Sequence, residues 1–399
     1  MMKKNYNVNF IKTFLLSLPL VDATTYFTKA SALSISLLLK LIFLIAMFIY
    51  VVINYRGEKL KQIVGFLMIT ILLIIMFLLF NVNQDFLTEF INISKLLILP
   101  ILLVLLYCIK NVESKWIDWN IVTNIALIYA IITIATIVVG IDVATFNSKA
   151  KMFGSKGIYF AGNDVGTILG IGISILMLGR INPLNILKFI IIFTAIAIMG
   201  VKTPLIMMIM TIIYVVIRNV IMKKFVKQTI LGVLLVVMAG ALYIPNSNVV
   251  KNFESRINFL YKHGKYEVSS KEEVYESPYI LVNELLLSGR LGLLENINEE
   301  YIESNPDEYI MGIGYSPYIR STEMDFFDAF YRLGILGFIV YLILLIYAIK
   351  LHIKKFVFDE KMFVVIMILL CGFFVGHVLT AISVTMVLAL IISTLDVIE

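Results

Sequence analysis

Gln62–Phe80, QIVGFLMITILLIIMFLLF, decides the fold, because it carries no charged side chain over a length that no ordinary core helix needs. As a helix rising 1.5 Å per residue it extends about 28 Å, close to the thickness of a bilayer's hydrocarbon layer. No water is present there to satisfy peptide groups, so a crossing segment must bond its own backbone as a helix. Comparable apolar runs recur at 10–28, 31–53, 91–109, 119–140, 158–179, 184–200, 203–218, 228–244, 326–349, 361–377 and 379–396. The pattern predicts an all-α polytopic membrane protein with about twelve transmembrane helices. The runs 184–218 and 361–396 are each long for one helix and short for two, and the first run carries Lys12, Pro19 and Asp22.

Composition agrees. Of 399 residues, 60% are hydrophobic and only 15% are charged, and the mean hydropathy is +0.96, which excludes a soluble globular domain. The net charge of +6 does not indicate nucleic acid, because the basic residues stand in short clusters between apolar runs, where they encode topology. Lys3 and Lys4, Arg56/Lys59/Lys61, Lys110/Lys115, Arg180/Lys188, Arg218/Lys223/Lys224/Lys227 and Lys350/Lys354/Lys355/Lys361 fall on one side when twelve spans are drawn. That side is expected to be cytoplasmic and to hold both termini. Lys149, Lys151 and Lys156 fall on the opposite side, against the rule, and become candidates for function.

The expected organisation is transmembrane helices 1–9 over residues 1–244, a large helical extracytoplasmic loop over 245–325, and helices 10–12 over 326–399. The loop lacks the Pro/Gly/Ser bias of a tether, and the spacing of its apolar residues suits helices. Cys108 and Cys371 lie far apart inside apolar runs, so no disulfide framework is expected. No histidine pair has metal-ligand spacing, and no nucleotide motif occurs, so neither metal nor cofactor is expected.

The residues able to carry chemistry gather around the long loop. They are Ser288-Gly289-Arg290, Gly312-Ile313-Gly314-Tyr315, Arg320, then Glu323-Met324-Asp325-Phe326-Phe327-Asp328, and Gly334-Ile335-Leu336-Gly337 at the head of a span. Upstream stand Phe160-Ala161-Gly162-Asn163-Asp164, opening a span, and Lys202-Thr203-Pro204. Arginine suits phosphate because its planar fork makes paired hydrogen bonds, and a carboxylate near a sugar hydroxyl can take its proton. On local grounds alone, Arg290 would pair with Glu284 or Glu295, and Asp328 with Arg332 at i+4. Asn163 and Asp164 would be helix caps, and Gly312-x-Gly314-Tyr315 a turn that positions Arg320 and Glu323.

The order and spacing of these motifs resemble the O-antigen polymerase and ligase superfamily, bacterial membrane glycosyltransferases that move glycans off undecaprenyl pyrophosphate. Ligases of that superfamily place a His and a small polar residue nine residues before Gly-x-x-Gly. Here the nine are Asp325 to Leu333, so Glu323 takes the His position and Met324 the polar one. That departure turns the expectation toward the polymerase branch. The resemblance implies Glu323, Asp325 and Arg290 as catalytic residues, with Lys202, Arg320, Asn163, Lys156 and Tyr315 binding substrate. It also implies an undecaprenyl-pyrophosphate-linked glycan as substrate, the bacterial cytoplasmic membrane as location, and a chain-length regulator and flippase as pathway partners. A ligase is the nearest alternative. A secondary transporter or lipid-linked glycan flippase is the rival from another class, though it would be expected to place its charges at mid-membrane rather than around the loop.

Overall fold

The computed structural model describes residues 6–28, 34–54, 58–80, 86–112, 116–145, 154–180, 182–221, 278–283, 287–314, 321–353, 357–374, 376 and 378–395, with a few positions between 248 and 258. The expected span 228–244 and the expected loop between 259 and 277 lie outside these residues. Among the described residues the regular structure is helical, apart from one isolated bridge, Ala144 to Ser155. Among the described residues, five helices are long and apolar enough to cross a membrane, within 35–54, 63–80, 86–111, 121–139 and 325–350. This is a polytopic membrane protein. By internal packing it divides into two compact units.

The first unit holds α2 (Ile35–Asn54), α3 (Glu58–Phe80), α4 (Phe86–Val112), α9 (Arg290–Glu303), α10 (Pro306–Met311), α11 (Asp325–Lys350), α12 (Glu360–Phe374) and α13 (Ile382–Ser393). Helix α4 is its axis, with α2, α3, α11 and α13 all packing on it. The contrast in burial follows from that position: 61% of α4's membrane-length window is buried, against 28% for α3. Helix α3 turns a stripe of Ile63, Phe66, Leu73 and Phe77 inward and leaves Met68, Leu72 and Leu79 exposed, as a helix bordering lipid does. Helix α13 is apolar all round and buried at every residue. Its C-terminal carbonyls, where the helix dipole is negative, receive Lys110 Nζ on Ser393 O at 2.7 Å and Lys361 Nζ on Thr394 O at 3.3 Å. Trp116 Nε1 donates to Ser393 Oγ at 2.9 Å.

The second unit holds α5 (Ile121–Val139), α6 (Gly162–Leu178), α7 (Pro183–Met199) and α8 (Thr203–Ile221). The run 184–218 is thus two helices, broken at Gly200–Lys202. Helix α6 approaches α8 backbone to backbone: a Cβ on Gly170 would stand 2.9 Å from Pro204 Cα, and one on Gly166 3.1 Å from Val201 Cγ1. Small residues one turn apart allow this packing where hydrophobicity offers no drive for association. Buried Ser174 and Thr211 add a hydrogen bond of 2.9 Å between the same helices. Between α5 and α6 the backbone folds back on itself, with Val143 N on Gly157 O at 2.7 Å and Thr145 N on Gly154 O at 3.0 Å. This hairpin caps α7, as Ser155 N and Thr145 Oγ1 donate to Ile198 O and Met199 O. Asp22, the polar residue of the first run, accepts a hydrogen bond from the Tyr129 hydroxyl of α5.

One break in α11 shapes the first unit's polar region. Gly334 has φ 65° and ψ −179°, a conformation available to glycine, and there the helical bonding stops. The carbonyls of Tyr331 and Arg332 turn out and accept Ile313 N at 3.1 Å and Gly314 N at 3.3 Å. Buried Arg332 returns a bond from Nη1 to Gly314 O at 2.6 Å. Gly312 (φ 89°) and Gly334 press backbone on backbone, so a Cβ on either would collide with the other's segment. Gly334→Ala is therefore expected to cost on the order of 3 kcal/mol, from a forbidden conformation plus the collision. Gly65→Ala, in open space inside α3, should instead gain up to about 1 kcal/mol. Thermal denaturation of the detergent-solubilised protein checks both, and an unchanged midpoint for Gly334→Ala would contradict the account of the break.

Candidate functional site

The site is built on the first turns of two helices. Gly289, at φ 83°, turns the chain into α9, whose first residue is Arg290. Glu323 lies two residues before α11, at φ 58°, which makes it one of two non-glycine residues with positive φ among the described positions; the other is Ser288. Such a conformation costs an L-residue about 1–2 kcal/mol and persists where surroundings over-determine it.

Arg290 is 4% exposed and reads Glu323 twice. Its Nε donates to the Glu323 carbonyl at 3.1 Å, and its Nη2 meets Glu323 Oε2 at 3.3 Å. Burial draws the Arg290 pKa below its ordinary value, while Glu323, Asp325 and Asp328 pull it back up. The Glu323 side chain is 31% exposed, so this carboxylate stays within reach of an arriving group.

The other two carboxylates of the motif serve the framework. Buried Asp325 accepts from Val378 N at 2.6 Å, Leu379 N at 2.8 Å and Thr380 Oγ1 at 3.0 Å, tying α11 to the segment that leads into α13. Asp328 accepts from the Ser321 hydroxyl, from Thr322 N at 2.7 Å and from Thr322 Oγ1 at 2.8 Å. The ion pair expected between Asp328 and Arg332 does not form, because the break at Gly334 turns Arg332 to Gly314. Arg290 finds a partner in Glu323, across 33 residues of sequence, and Glu284 lies outside the described residues.

Lys202, Lys156 and Asn163 belong to the second unit. Lys202 Nζ donates to Ser288 Oγ at 3.4 Å. Lys156 Nζ bonds the Phe160 carbonyl at 2.6 Å and stands 5.9 Å from that ring's centre. Helix α6 is capped at Ala161 without a side-chain bond, so Asn163 and Asp164 are not N-caps but first-turn residues. Tyr315 and Arg320 lie outside the described residues, as do Lys149 and Lys151. Among the described residues no three His, Cys, Asp or Glu side chains gather as a metal site.

Ser321 and Thr322 were not anticipated from sequence, although a Ser-Thr pair just before a helix's acidic first turn is the pattern of hydroxyls that bond local backbone. Equally unforeseen was the left-handed backbone of Glu323, a conformation more usual for glycine or asparagine.

No curated protein matches this chain. The family model described as O-antigen ligase like membrane protein matches residues 4–398, nearly the whole length. With a match of that extent, the chain belongs to the O-antigen ligase-like family of membrane proteins.

Proposed function

We propose that this protein is a polysaccharide polymerase. It joins undecaprenyl-pyrophosphate-linked repeat units on the outer face of the cytoplasmic membrane, with twelve spans, both termini inside and the 245–325 loop outside. The observation that carries the reading is the Arg290–Glu323 pair, a buried guanidinium against a half-exposed carboxylate at the position the family motif marks.

The chemistry divides between the two groups. The acceptor hydroxyl oxygen attacks the anomeric carbon of the growing glycan and forms the new glycosidic bond. The bond from that carbon to the carrier's diphosphate breaks, its electron pair leaving with the diphosphate. Glu323 takes the hydroxyl proton, and Arg290 faces the charge that gathers on the leaving oxygens. Fixed cations at that point need no reorganisation as the bond breaks, which is why a guanidinium held by burial suits the task better than a mobile one. Lys156 and Lys202, with Lys149 and Lys151, supply a positive field toward the anionic carrier. Tyr315, Arg320 and Asn163 contact the glycan or its diphosphate. The free energy resides in the sugar–diphosphate bond, so no nucleotide is consumed. A ligase would use the same pair with a different acceptor; Glu323 in place of histidine favours the polymerase.

Deleting the gene and sizing the surface polysaccharide separates the readings. Single repeat units mark a polymerase, full-length polymer left on its carrier a ligase, and units trapped inside the cell a flippase. Arg290→Ala should abolish chain growth while the protein still inserts; normal chain lengths in that variant would remove Arg290 from the site. Glu323→Gln should slow transfer by roughly 10²–10⁴-fold, the usual contribution of a positioned base. Glu323→Cys should react with an impermeant thiol reagent applied from outside, and protection from it would place the pair on the wrong side.

A further inference from the structure

Three carboxylates stand within six residues, at 323, 325 and 328, and Asp328 is wired to the backbone of the proposed proton acceptor. Two relays run to it. Glu323 N donates to Ser321 Oγ at 3.1 Å, and the Ser321 hydroxyl donates in turn to Asp328 Oδ2. Met324 N donates to Thr322 Oγ1 at 3.1 Å, and Thr322 Oγ1 reaches Asp328 Oδ1 at 2.8 Å. Thr322 N adds a direct bond to Oδ1 at 2.7 Å. The amides of residues 322, 323 and 324 thus all refer to one carboxylate. The two torsions of Glu323 are set by the peptide groups before and after it, and both groups are held.

The fixed backbone matters because of where it sends the side chain. With φ at 58°, Glu323 presents its carbonyl and its carboxylate to the same guanidinium. Gly376 lies against that carbonyl so closely that a Cβ there would collide with it. Relaxation of Glu323 to the ordinary negative φ would part both acceptors from Arg290.

We propose that Asp328 is a positioning residue: through Ser321 and Thr322 it holds Glu323 in its left-handed pose against Arg290. The inference rests on the reading of Glu323 as the group that receives the acceptor's proton. Asp328 itself touches no substrate; it acts at the distance of one turn by deciding where the Glu323 carboxylate stands. Displacement of a catalytic group by about an ångström typically costs on the order of 10²-fold in rate.

The test is a double-mutant cycle on the full-length protein in lipid nanodiscs, using the host's own lipid-linked repeat unit as substrate. Asp328→Asn should slow transfer on the order of 10²-fold. Glu323→Gln/Asp328→Asn should be no slower than Glu323→Gln alone, because a residue acting through Glu323 has nothing left to position. Losses that multiply in the double variant, or an unimpaired Asp328→Asn, would overturn the proposal. Should Asp328→Asn fail to fold, Ser321→Ala cuts one relay only and should lose roughly tenfold; wild-type transfer in that variant overturns the idea equally. If Glu323→Gln itself transfers at the wild-type rate, the reading of Glu323 has failed, and positioning is then judged by the structure of the Asp328→Asn protein. A negative φ at Glu323 with the pair to Arg290 opened supports it, and an unchanged pair refutes it.

Discussion

Hydrocarbon offers no hydrogen bonds, so wherever a helix of this protein stops or breaks, other groups of the chain must supply the missing partners. The break in α11 at Gly334 is closed by Ile313 N and Gly314 N. The end of α7 is closed by Ser155, Thr145 and Asn248, all three donating to Ile198 O or Met199 O. The lead-in to α13 is closed by the Asp325 carboxylate. Polar side chains are therefore concentrated at interruptions, and the groups able to do chemistry stand among them. In a chain that is 60% hydrophobic, these interruptions are where charged side chains find the bonds that make their burial tolerable.

The first unit shows how closely framework and site are interwoven. Asp325 and Asp328 spend their oxygens on backbone amides and hydroxyls, whereas Glu323 keeps part of its carboxylate toward solvent. The difference follows from geometry and not from residue type. Asp325 and Asp328 lie on the inward face of the first turns of α11, while Glu323 precedes the helix on a backbone turned the other way. The buried Arg290 meets both the carbonyl and the carboxylate of Glu323, with the charges of Asp325 and Asp328 nearby.

Five of the expected spans, within 35–54, 63–80, 86–111, 121–139 and 325–350, were legible in the sequence because a lipid-crossing helix writes its whole length in apolar residues. Gln62–Phe80 has one reading in water and another in lipid, and only the second is stable. Interruptions were harder. The run 184–218 could be divided into 184–200 and 203–218, and α7 does end at Gly200, whose left-handed φ is 69°, but the break at Gly334 inside the span 326–349 was not foreseen. The motif residues of the site could be named, but their partners could not, since Arg290 and Glu323 meet through tertiary structure. Spacing rules for helices offered Arg332 to Asp328; the break at Gly334, itself part of the motif, sent the guanidinium to Gly314 instead. A glycine can be read as permission to turn, but the direction of the turn depends on what lies beside it.

Helix α13 is held at both extremities. At one, Lys110, Trp116 and Lys361 grip Ser393 and Thr394; at the other, Asp325 grips the residues just before Ile382. A short helix buried at every residue and fastened at its two ends behaves as a strut. Its length fixes the spacing between the α4–α12 end of the first unit and the segment 378–380 that the Asp325 carboxylate holds, two residues from the turn that carries Glu323.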